Sequence, residues 1–298
     1  MFQYNVDQEK IIKIVCLIMK LLSKTVVIIT SVFTISNTYA FDIYGFIPWK
    51  THITTNGSVI SDFGLTKQYI TQQGFKPIKV VYHKYFLTND QPDPEKIKKI
   101  AEESKLNPAI PISFDIEIGN RFAPKTVLPI VEETLRLYHK YGGSAPVGVY
   151  ALLPQNTYGG KLDSKKTAIY TELNKKYESI AKQVDFLSPV FYNYDQKDIN
   201  LWKKSVDFSM AESKKYAKKY NLKIIPYITS TYAEKKDKYY VEQMSEKEMQ
   251  QRLSYLKNAG ANGVIIWESS EGFERSTNGK PSIDFSKGWA KAVRQFKH

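Results

Sequence analysis

Two acidic residues, Asp115 and Glu117, stand two positions apart at the end of a short apolar run. On a β-strand, positions i and i+2 point to the same side, so both carboxyl groups would face one space. At the carboxyl end of a barrel strand, that space is where such folds carry out chemistry. Burial and mutual repulsion would keep one carboxyl group protonated near neutral pH, as a general acid requires. The spacing alone leaves open a structural pair that caps the next loop or meets a lysine.

Aromatic residues stand at or near the ends of other predicted strands. Their flat faces can stack on sugar rings and tyrosine hydroxyls can hydrogen-bond to them, although core packing is the commoner fate of a single strand aromatic. Five of them at one end of a barrel would form a carbohydrate site. The candidate substrate-binding residues are Trp49, Tyr82, Tyr192, Tyr227 and Trp267.

Seven short runs rich in β-branched and aromatic residues predict strands. The runs are nearly continuous in apolar residues, as expected of strands covered on both faces. They are Tyr44–Trp49, Ile78–Tyr82, Ile110–Glu117, Val147–Leu152, Phe186–Tyr192, Lys223–Ile228 and Gly263–Trp267.

Segments with helical spacing separate most of these strands. Helices are predicted to begin near Pro94 and at the capping box formed by Ser245 and Glu248, and apolar spacing predicts two more over residues 127–138 and 169–184. Alternation of strand and helix over about 250 residues is typical of a barrel or a doubly wound sheet. No glycine-rich phosphate motif follows a strand, and several strands end in polar or aromatic residues. We therefore predict an α/β fold, a single distorted (β/α) TIM-type barrel of seven strands over residues 41–298.

The composition excludes several classes of protein. The chain has 298 residues, 42% of them hydrophobic and 24% charged, with a formal net charge of +13, so it is neither disordered nor fibrous. The single Cys16 excludes a disulfide scaffold and a cysteine-based zinc site, and the four histidines are too scattered to predict a metal site. We expect no metal and no cofactor. Lysine pairs fall mostly on predicted helices rather than on one face, so nucleic acid is not an expected partner.

The first 40 residues have the pattern of a signal peptide. Lysines precede an apolar stretch of about a dozen residues that ends in Thr38-Tyr39-Ala40, which predicts export and cleavage after Ala40. Met19 begins a conventional signal start, so residues 1–18 are interpreted as an over-extended beginning. A transmembrane anchor is the alternative, but lysines interrupt the stretch. We expect a secreted or periplasmic protein without stable membrane insertion, on which a net charge of +11 remains because four lysines and two acids lie in the first 40 residues.

Several segments, in the same order along the chain, resemble the animal and venom hyaluronidases, which are endo-acting glycoside hydrolases. The best of them runs from Met244 to Ser270, with a capped helix, a Gly-Ala-x-Gly turn and an apolar strand ending in Trp267. Phe114-Asp115-Ile116-Glu117 is similar to the family's Asp-Trp-Glu motif. The segments 187–192 and 227–232 are similar to its next two strands. The family barrel also has seven strands.

The resemblance implies a role for each matching residue. Glu117 would protonate the glycosidic oxygen and later activate water, while Asp115 would hold the substrate's N-acetyl group, whose carbonyl oxygen attacks the anomeric carbon. Tyr192 would support the acetamido group and Trp267 would line the pocket floor. Tyr158, one place out of register, would match a third family tyrosine.

The chain also departs from the family pattern. Ile116 replaces the family tryptophan, and the expected arginine is Asn120, with Arg121 one place further on. We therefore expect a retaining endo-glycosidase that cleaves an N-acetylhexosamine-containing polysaccharide, such as hyaluronan or chondroitin, by substrate-assisted catalysis. A muramidase acting on peptidoglycan and a non-catalytic carbohydrate-binding barrel are the alternatives. The expected partner is an anionic or amino-sugar polysaccharide, toward which the positive charge would act by long-range attraction.

Overall fold

The structure, a computed structural model, describes residues 40–159, 162–194, 197–235 and 237–296. The predicted signal peptide and the start at Met19 lie outside these residues. Ala40–His298 forms one compact unit, and only this unit is described below. Among the residues that the structure describes, no helix is long and apolar enough to cross a membrane.

Seven parallel strands occur where the sequence predicts them, but most are shorter than predicted. The last strand matches its predicted bounds, and the strands predicted to end at Tyr82 and Ile228 do end there but begin later. The other four end sooner than predicted. The strands are β1 Asp42–Phe46, β2 Lys79–Tyr82, β3 Ile112–Asp115, β4 Val147–Val149, β5 Phe186–Leu187, β6 Tyr227–Ile228 and β7 Gly263–Trp267. Short segments precede two of them, Lys76–Pro77 before β2 and Lys223–Ile224 before β6.

Each strand is linked to the next one along the chain, and the last is paired with the first. β1 pairs with β7 along its whole length and with the segment before β2. β3 pairs with β2 and β4, and β5 pairs with the segment before β6. One single bridge joins Tyr150, directly after β4, to Ser188, directly after β5. Another joins Val190 to Tyr227 of β6. β6 in turn pairs with β7, which gives a TIM-barrel-like order of parallel strands.

The close pairing of β1 with β7 depends on Gly263. A Cβ atom at this position would collide with the carbonyl oxygen of Asp42. The glycine of the Gly-Ala-x-Gly turn therefore allows the first and last strands to approach.

Seven helices lie in the described part of the chain. Aspartate side chains cap four of them, and the predicted capping box of Ser245 and Glu248 is confirmed. The helices are α1 Phe63–Gln72, α2 Pro94–Leu106, α3 Leu128–Lys140, α4 Ser164–Lys176, α5 Ile199–Tyr220, α6 Glu246–Asn258 and α7 Gly288–Gln295. Three 3₁₀ turns span His83–Tyr85, Pro124–Thr126 and Glu178–Lys182.

The helix predicted over residues 169–184 is divided in the structure. The side chain of Asp163 accepts a hydrogen bond from the backbone N–H of Lys166, so the helix begins earlier, at Ser164. It stops at Tyr177, whose ring is fully buried, and a 3₁₀ turn follows.

Additional strands outside the barrel were not predicted. Four of them pair into a sheet from segments that follow β5, β6 and β7, namely Asn193–Tyr194, Thr231–Lys235, Tyr239–Gln243 and Phe273–Glu274. We call these four strands the roof sheet. Thr51–Ile53, Val59–Ser61 and Ser282–Asp284 form a second small sheet, and Leu87–Thr88 pairs with Gln91–Pro92.

The buried apolar residues fall into three clusters. Two large clusters join alternate strand residues to the helices, as in the packing of Phe114 and Ile116 with α3 residues such as Val131 and Leu135. The third and smallest cluster contains Tyr150, Tyr192, Tyr227 and strand residues that point to the other side. Asp115, the last residue of β3, lies beside the tyrosines of this inner cluster.

Candidate active site

The two acids lie on the same side of the end of β3. The strand ends at Asp115, which is 6% exposed, and Glu117 lies two residues beyond it and is exposed. Ile116, which lies between them, is 1% exposed and packs instead in the large cluster that contains Phe114 and residues of α3. Both acids line one cavity of about 200 Å³, so the predicted alternation of sides holds.

We call this cavity the inner cavity. Four of the predicted aromatic residues line it together with the acids. Its other lining residues are Val80, Tyr150 and Tyr239. The predicted residues that it contains are Tyr82, Tyr192, Tyr227 and Trp267.

Trp267 forms one wall of the inner cavity. Its ring stacks on that of Tyr192, with centroids 5.5 Å apart and planes inclined by 20°. Its indole N–H donates a hydrogen bond to the Tyr82 hydroxyl over 3.0 Å. Two further tyrosines of the lining, Tyr150 and Tyr227, contact each other edge to face, with 5.0 Å between their ring centroids. The flat faces are thus fixed before any ligand binds.

One buried polar atom of the inner wall, the Oδ1 of Asp115, has no protein partner among the described residues. The buried hydroxyls of Ser113 and Tyr227 interact with each other. A buried polar atom without a partner is costly, so this wall is suited to polar groups of a ligand or to water.

Burial raises the pKa of Asp115 to about 7, and the nearby carboxyl group of Glu117 adds to the rise, while Arg121 opposes it. Burial also raises the pKa of the Tyr227 hydroxyl, which is therefore neutral. Asp115, the deeper acid, therefore holds its proton below about pH 7.

Arg121 is held in the wall behind the acids. Its Nη1 donates a hydrogen bond to the carbonyl oxygen of Ala151 over 2.6 Å, and its guanidinium lies 5.8 Å from the centroid of the Tyr150 ring. The Tyr177 hydroxyl donates to the carbonyl oxygen of Arg121. Arg121 therefore supports the wall of the site.

Two predicted substrate-binding residues lie elsewhere. Trp49 is 4% exposed, packs edge to face on Trp289 and donates its indole N–H to the carbonyl oxygen of Ser269, so it belongs to the core rather than to the cavity lining. The reason is that β1 ends at Phe46, three residues earlier than predicted. Tyr158 lines a second hollow of about 320 Å³, which it shares with Glu117.

The sequence analysis missed two tyrosines of the lining. Tyr150 lay inside the predicted strand 147–152, where its aromatic ring near a strand end was an available signal. Tyr239 begins a strand of the roof sheet, and no sequence signal connected it with the acids.

Glu268 is a second buried acid close to the site, directly after Trp267. One carboxyl oxygen accepts hydrogen bonds from the backbone N–H and the hydroxyl of Ser230, and the other accepts from the Thr231 hydroxyl over 3.0 Å. Burial nevertheless raises its pKa to about 7. Glu268 thus ties the end of β7 to the segment that leads into the roof sheet.

Size alone does not identify the site. A larger cavity of about 420 Å³ lies between α1, α2 and the first strands, and its lining is mainly apolar. Its single acidic lining residue, Glu103, is paired with Lys79. In the described ranges, no group of three or more His, Cys, Asp or Glu side chains could hold a metal ion.

Comparison with known proteins supports the fold. No protein-family model matches the chain. No curated protein matches it by sequence. Bee venom hyaluronidase is similar in structure, with 15% identity, a TM-score of 0.53, and coverage of 77% of this chain and 91% of that one. A chitinase from Chromobacterium violaceum has 12% identity and a TM-score of 0.45, with coverage of 86% of this chain and 91% of that one. The first of these similarities shows a TIM-barrel-like fold.

Proposed function

We propose that this protein is a retaining endo-glycosidase that cleaves an N-acetylhexosamine-containing polysaccharide by substrate-assisted catalysis. The observation that carries the proposal is the pair of Asp115 and Glu117 on one side of a strand end, inside a cavity walled by Trp267 and tyrosines. The similarity to the fold of bee venom hyaluronidase supports the same class of reaction.

The inner cavity suits the sugar whose bond is broken. Aromatic faces such as those of Trp267 and Tyr192 pack against the apolar faces of a sugar ring. The unpartnered Oδ1 of Asp115 is an acceptor for the N–H of an N-acetyl group, and the buried hydroxyl of Tyr227 offers a donor near it. An amino sugar therefore satisfies the Oδ1 of Asp115, which would otherwise remain unpaired.

The two acids divide the chemistry between them. The N-acetyl carbonyl oxygen attacks the anomeric carbon while the bond from that carbon to the glycosidic oxygen breaks. Glu117, the exposed member, gives its proton to the departing oxygen, and Asp115 binds the amide N–H as positive charge develops on the ring that forms. Glu117 then takes a proton from water, whose oxygen attacks the same carbon and restores the acetamido group.

The pKa of Asp115 agrees with this division. In the free protein, Asp115 keeps its proton below about pH 7. An amide N–H donated to Asp115 stabilises the charged carboxylate, so binding of the sugar would favour moving the proton to Glu117. The substrate itself would thus prepare the general acid.

The proposal is tested by the release of reducing ends from hyaluronan, chondroitin, chitin oligomers and peptidoglycan. Glu117→Gln should lower the rate by about 10²–10⁴-fold, the usual contribution of a positioned acid. Glu102→Gln, at an exposed position of α2, is the matched control and should behave as wild type. Equal rates for wild type and a folded Glu117→Gln would refute the mechanism. Cleavage of peptidoglycan alone would favour the muramidase alternative, and binding without cleavage the carbohydrate-binding one.

Export is a further part of the proposal. The sequence pattern before Ala40 predicts a secreted or periplasmic protein. Amino-terminal sequencing of protein recovered outside the cytoplasm should give Phe41 as the first residue. Recovery of a chain that still begins before Met19 would overturn both the cleavage site and the proposed start.

A further inference from the structure

Glu117 lines two hollows. It shares the inner cavity with Asp115 and a second hollow of about 320 Å³ with residues from the loops after β3 and β4. We call the second one the outer cleft. A general acid stands between the two sugars whose bond it cleaves, because the oxygen that it protonates belongs to both of them. The outer cleft is therefore where the leaving sugar would lie.

Two exposed aromatic side chains line the outer cleft. Phe122 is 56% exposed and Tyr158 is 58% exposed, although both line a concave surface. The Phe122 ring also contacts Tyr170 on α4, with ring centroids 5.9 Å apart. Exposed aromatic rings in a cleft are unfavourable in water and suit the apolar face of a sugar.

The backbone around both rings is held in place. The side-chain oxygen of Asn120 accepts from the backbone N–H of Phe122 over 2.9 Å, and that of Asn156 accepts from the N–H of Tyr158 over 2.8 Å. Both asparagines line the cleft, and their oxygen atoms are thus occupied. Their side-chain nitrogens remain as donors for sugar hydroxyls and carbonyl oxygens.

Gly119 fixes the first of the two loops. Its φ of +72° lies in the left-handed region, and a Cβ atom there would lie 2.6 Å from the carbonyl oxygen of Thr126. The Asn120 backbone N–H donates to the Thr126 hydroxyl, which closes the turn. The cleft is thus formed before a ligand arrives.

The charge of the lining does not favour an anionic sugar. The described lining of the two hollows contains two carboxyl groups and one guanidinium, that of Arg121. Arg121 already donates to the carbonyl oxygen of Ala151 and lies over the Tyr150 ring. A uronate in the outer cleft would bring a third carboxylate beside Glu117, and the lining that the structure describes holds no additional cation to balance it.

We propose that the outer cleft is the subsite for the leaving sugar and that it takes an uncharged sugar ring, so that the substrate is a neutral N-acetylhexosamine polymer rather than one that alternates with uronate. This inference rests on the proposed function, which it narrows. The ring stacks on Phe122 and Tyr158, and its polar groups accept hydrogen bonds from Asn120 and Asn156.

Binding is tested with two tetrasaccharides of equal length, the β-linked tetramer of N-acetylglucosamine and the hyaluronan tetrasaccharide. Calorimetric titrations in the Asp115→Asn background slow cleavage during the measurement and keep the carboxyl group of Glu117, beside which the uronate would lie. The neutral tetramer should bind more tightly. Phe122→Ala and Tyr158→Ala should each weaken its binding about tenfold, as expected for one lost stacking contact. Phe63→Ala, an exposed phenylalanine on α1 outside both hollows, is the matched control.

Three outcomes would overturn the inference. They are tighter binding of the hyaluronan tetrasaccharide, no measurable binding of either sugar, and neutral-sugar binding that Phe122→Ala and Tyr158→Ala leave unchanged. Hyaluronan binding that is lost in Arg121→Gln would assign the cleft to a uronate instead. If the expected binding pattern is found but wild type releases no reducing ends, the subsite stands and the proposed hydrolysis fails.

Discussion

The indole N–H of Trp267, at the end of β7, donates a hydrogen bond to the hydroxyl of Tyr82, at the end of β2, over 3.0 Å. In the order of pairing, β1 lies between these two strands. The bond therefore joins the end of β7 to the end of β2 past β1. It fixes the plane of the indole while Tyr192 stacks on its face. The geometry of the sugar-binding wall therefore depends on a contact between residues at opposite ends of the barrel sequence.

This contact predicts coupling between Trp267 and Tyr82. Trp267→Phe keeps an aromatic face and removes the donor, and Tyr82→Phe removes the acceptor. A double-mutant cycle on the free energy of unfolding should give a coupling energy of about 0.5–1.5 kcal/mol, the usual net value of one hydrogen bond. The same pair should show coupled losses in kcat/KM. Strictly additive effects on both quantities would mean that the bond does not hold the wall.

The raised pKa of Asp115 predicts an alkaline limit on activity. Asp115 holds a proton below about pH 7 and loses it above that value, so the proton that the proposed mechanism moves to Glu117 is then missing and kcat/KM should fall as pH rises through about 7. The profile reports the free enzyme because it is measured on kcat/KM. In Asp115→Asn the alkaline limb of the residual activity should no longer lie near pH 7, because the group whose pKa is raised to that value is gone. A wild-type profile that stays flat from about pH 6 to about pH 8 would contradict the assignment.

Glu268 predicts a pH dependence of stability. Its folded-state pKa is about 7, above the ordinary value of 4.5, so between these two values the folded protein binds a proton that the unfolded chain has lost. The free energy of unfolding should therefore fall as pH rises across this window and level off above about 7. Asp115, whose pKa is raised in the same direction, should add to the fall.

Glu268→Gln separates the contribution of Glu268 from that of Asp115. The amide oxygen can accept from Ser230, and the amide nitrogen can donate to the Thr231 hydroxyl, so the network is kept without a titrating group. Urea unfolding at a series of pH values should show a shallower fall for this variant, and no fall when Asp115→Asn is added, because the lowered pKa of buried His52 acts in the opposite direction. An unchanged slope in both variants would exclude these acids as its source.

Gly263 predicts a steric limit on the barrel. Gly263→Ala places a Cβ atom against the carbonyl oxygen of Asp42, where β1 and β7 begin to pair. Such overpacking typically costs about 1–3 kcal/mol, which thermal or urea unfolding would measure. Gly279→Ala is the matched control, because the nearest atom to its Cβ, the Thr277 Oγ1, is at an ordinary contact distance of 3.4 Å. Equal stability of the two variants would show that the strands can separate without cost.

The sequence predicts the barrel strands well because each is a short run of β-branched and aromatic residues bounded by helices. It also predicts that acids and aromatic residues at the carboxyl ends of parallel strands meet, as Asp115, Glu117, Tyr192 and Trp267 do. Strand ends are less predictable. Trp49 was assigned to the site because its apolar run continues past Phe46, although the ladder does not.

Other features depend on contacts that have no local pattern. Tyr239 reaches the inner cavity from a strand that is paired across the roof sheet, so neither its neighbours nor its spacing indicates a site. The placing of the proton on Asp115 rather than Glu117 follows from burial, which differs between the two acids although they share a strand end. Tyr158 lies in the outer cleft because of the course of its loop.

The roof sheet joins segments that leave three consecutive barrel strands. Its strand Tyr239–Gln243 pairs on one side with Thr231–Lys235 and on the other with Phe273–Glu274, which follows β7. Tyr239 is thus held at the inner cavity by pairing with segments that are not part of β3. An insertion after β7 that broke the pairing of Tyr240 with Phe273 would alter the cover of the cavity and leave the acids in position. Redesign of this one segment should therefore change the cover of the inner cavity without moving the acids at the end of β3.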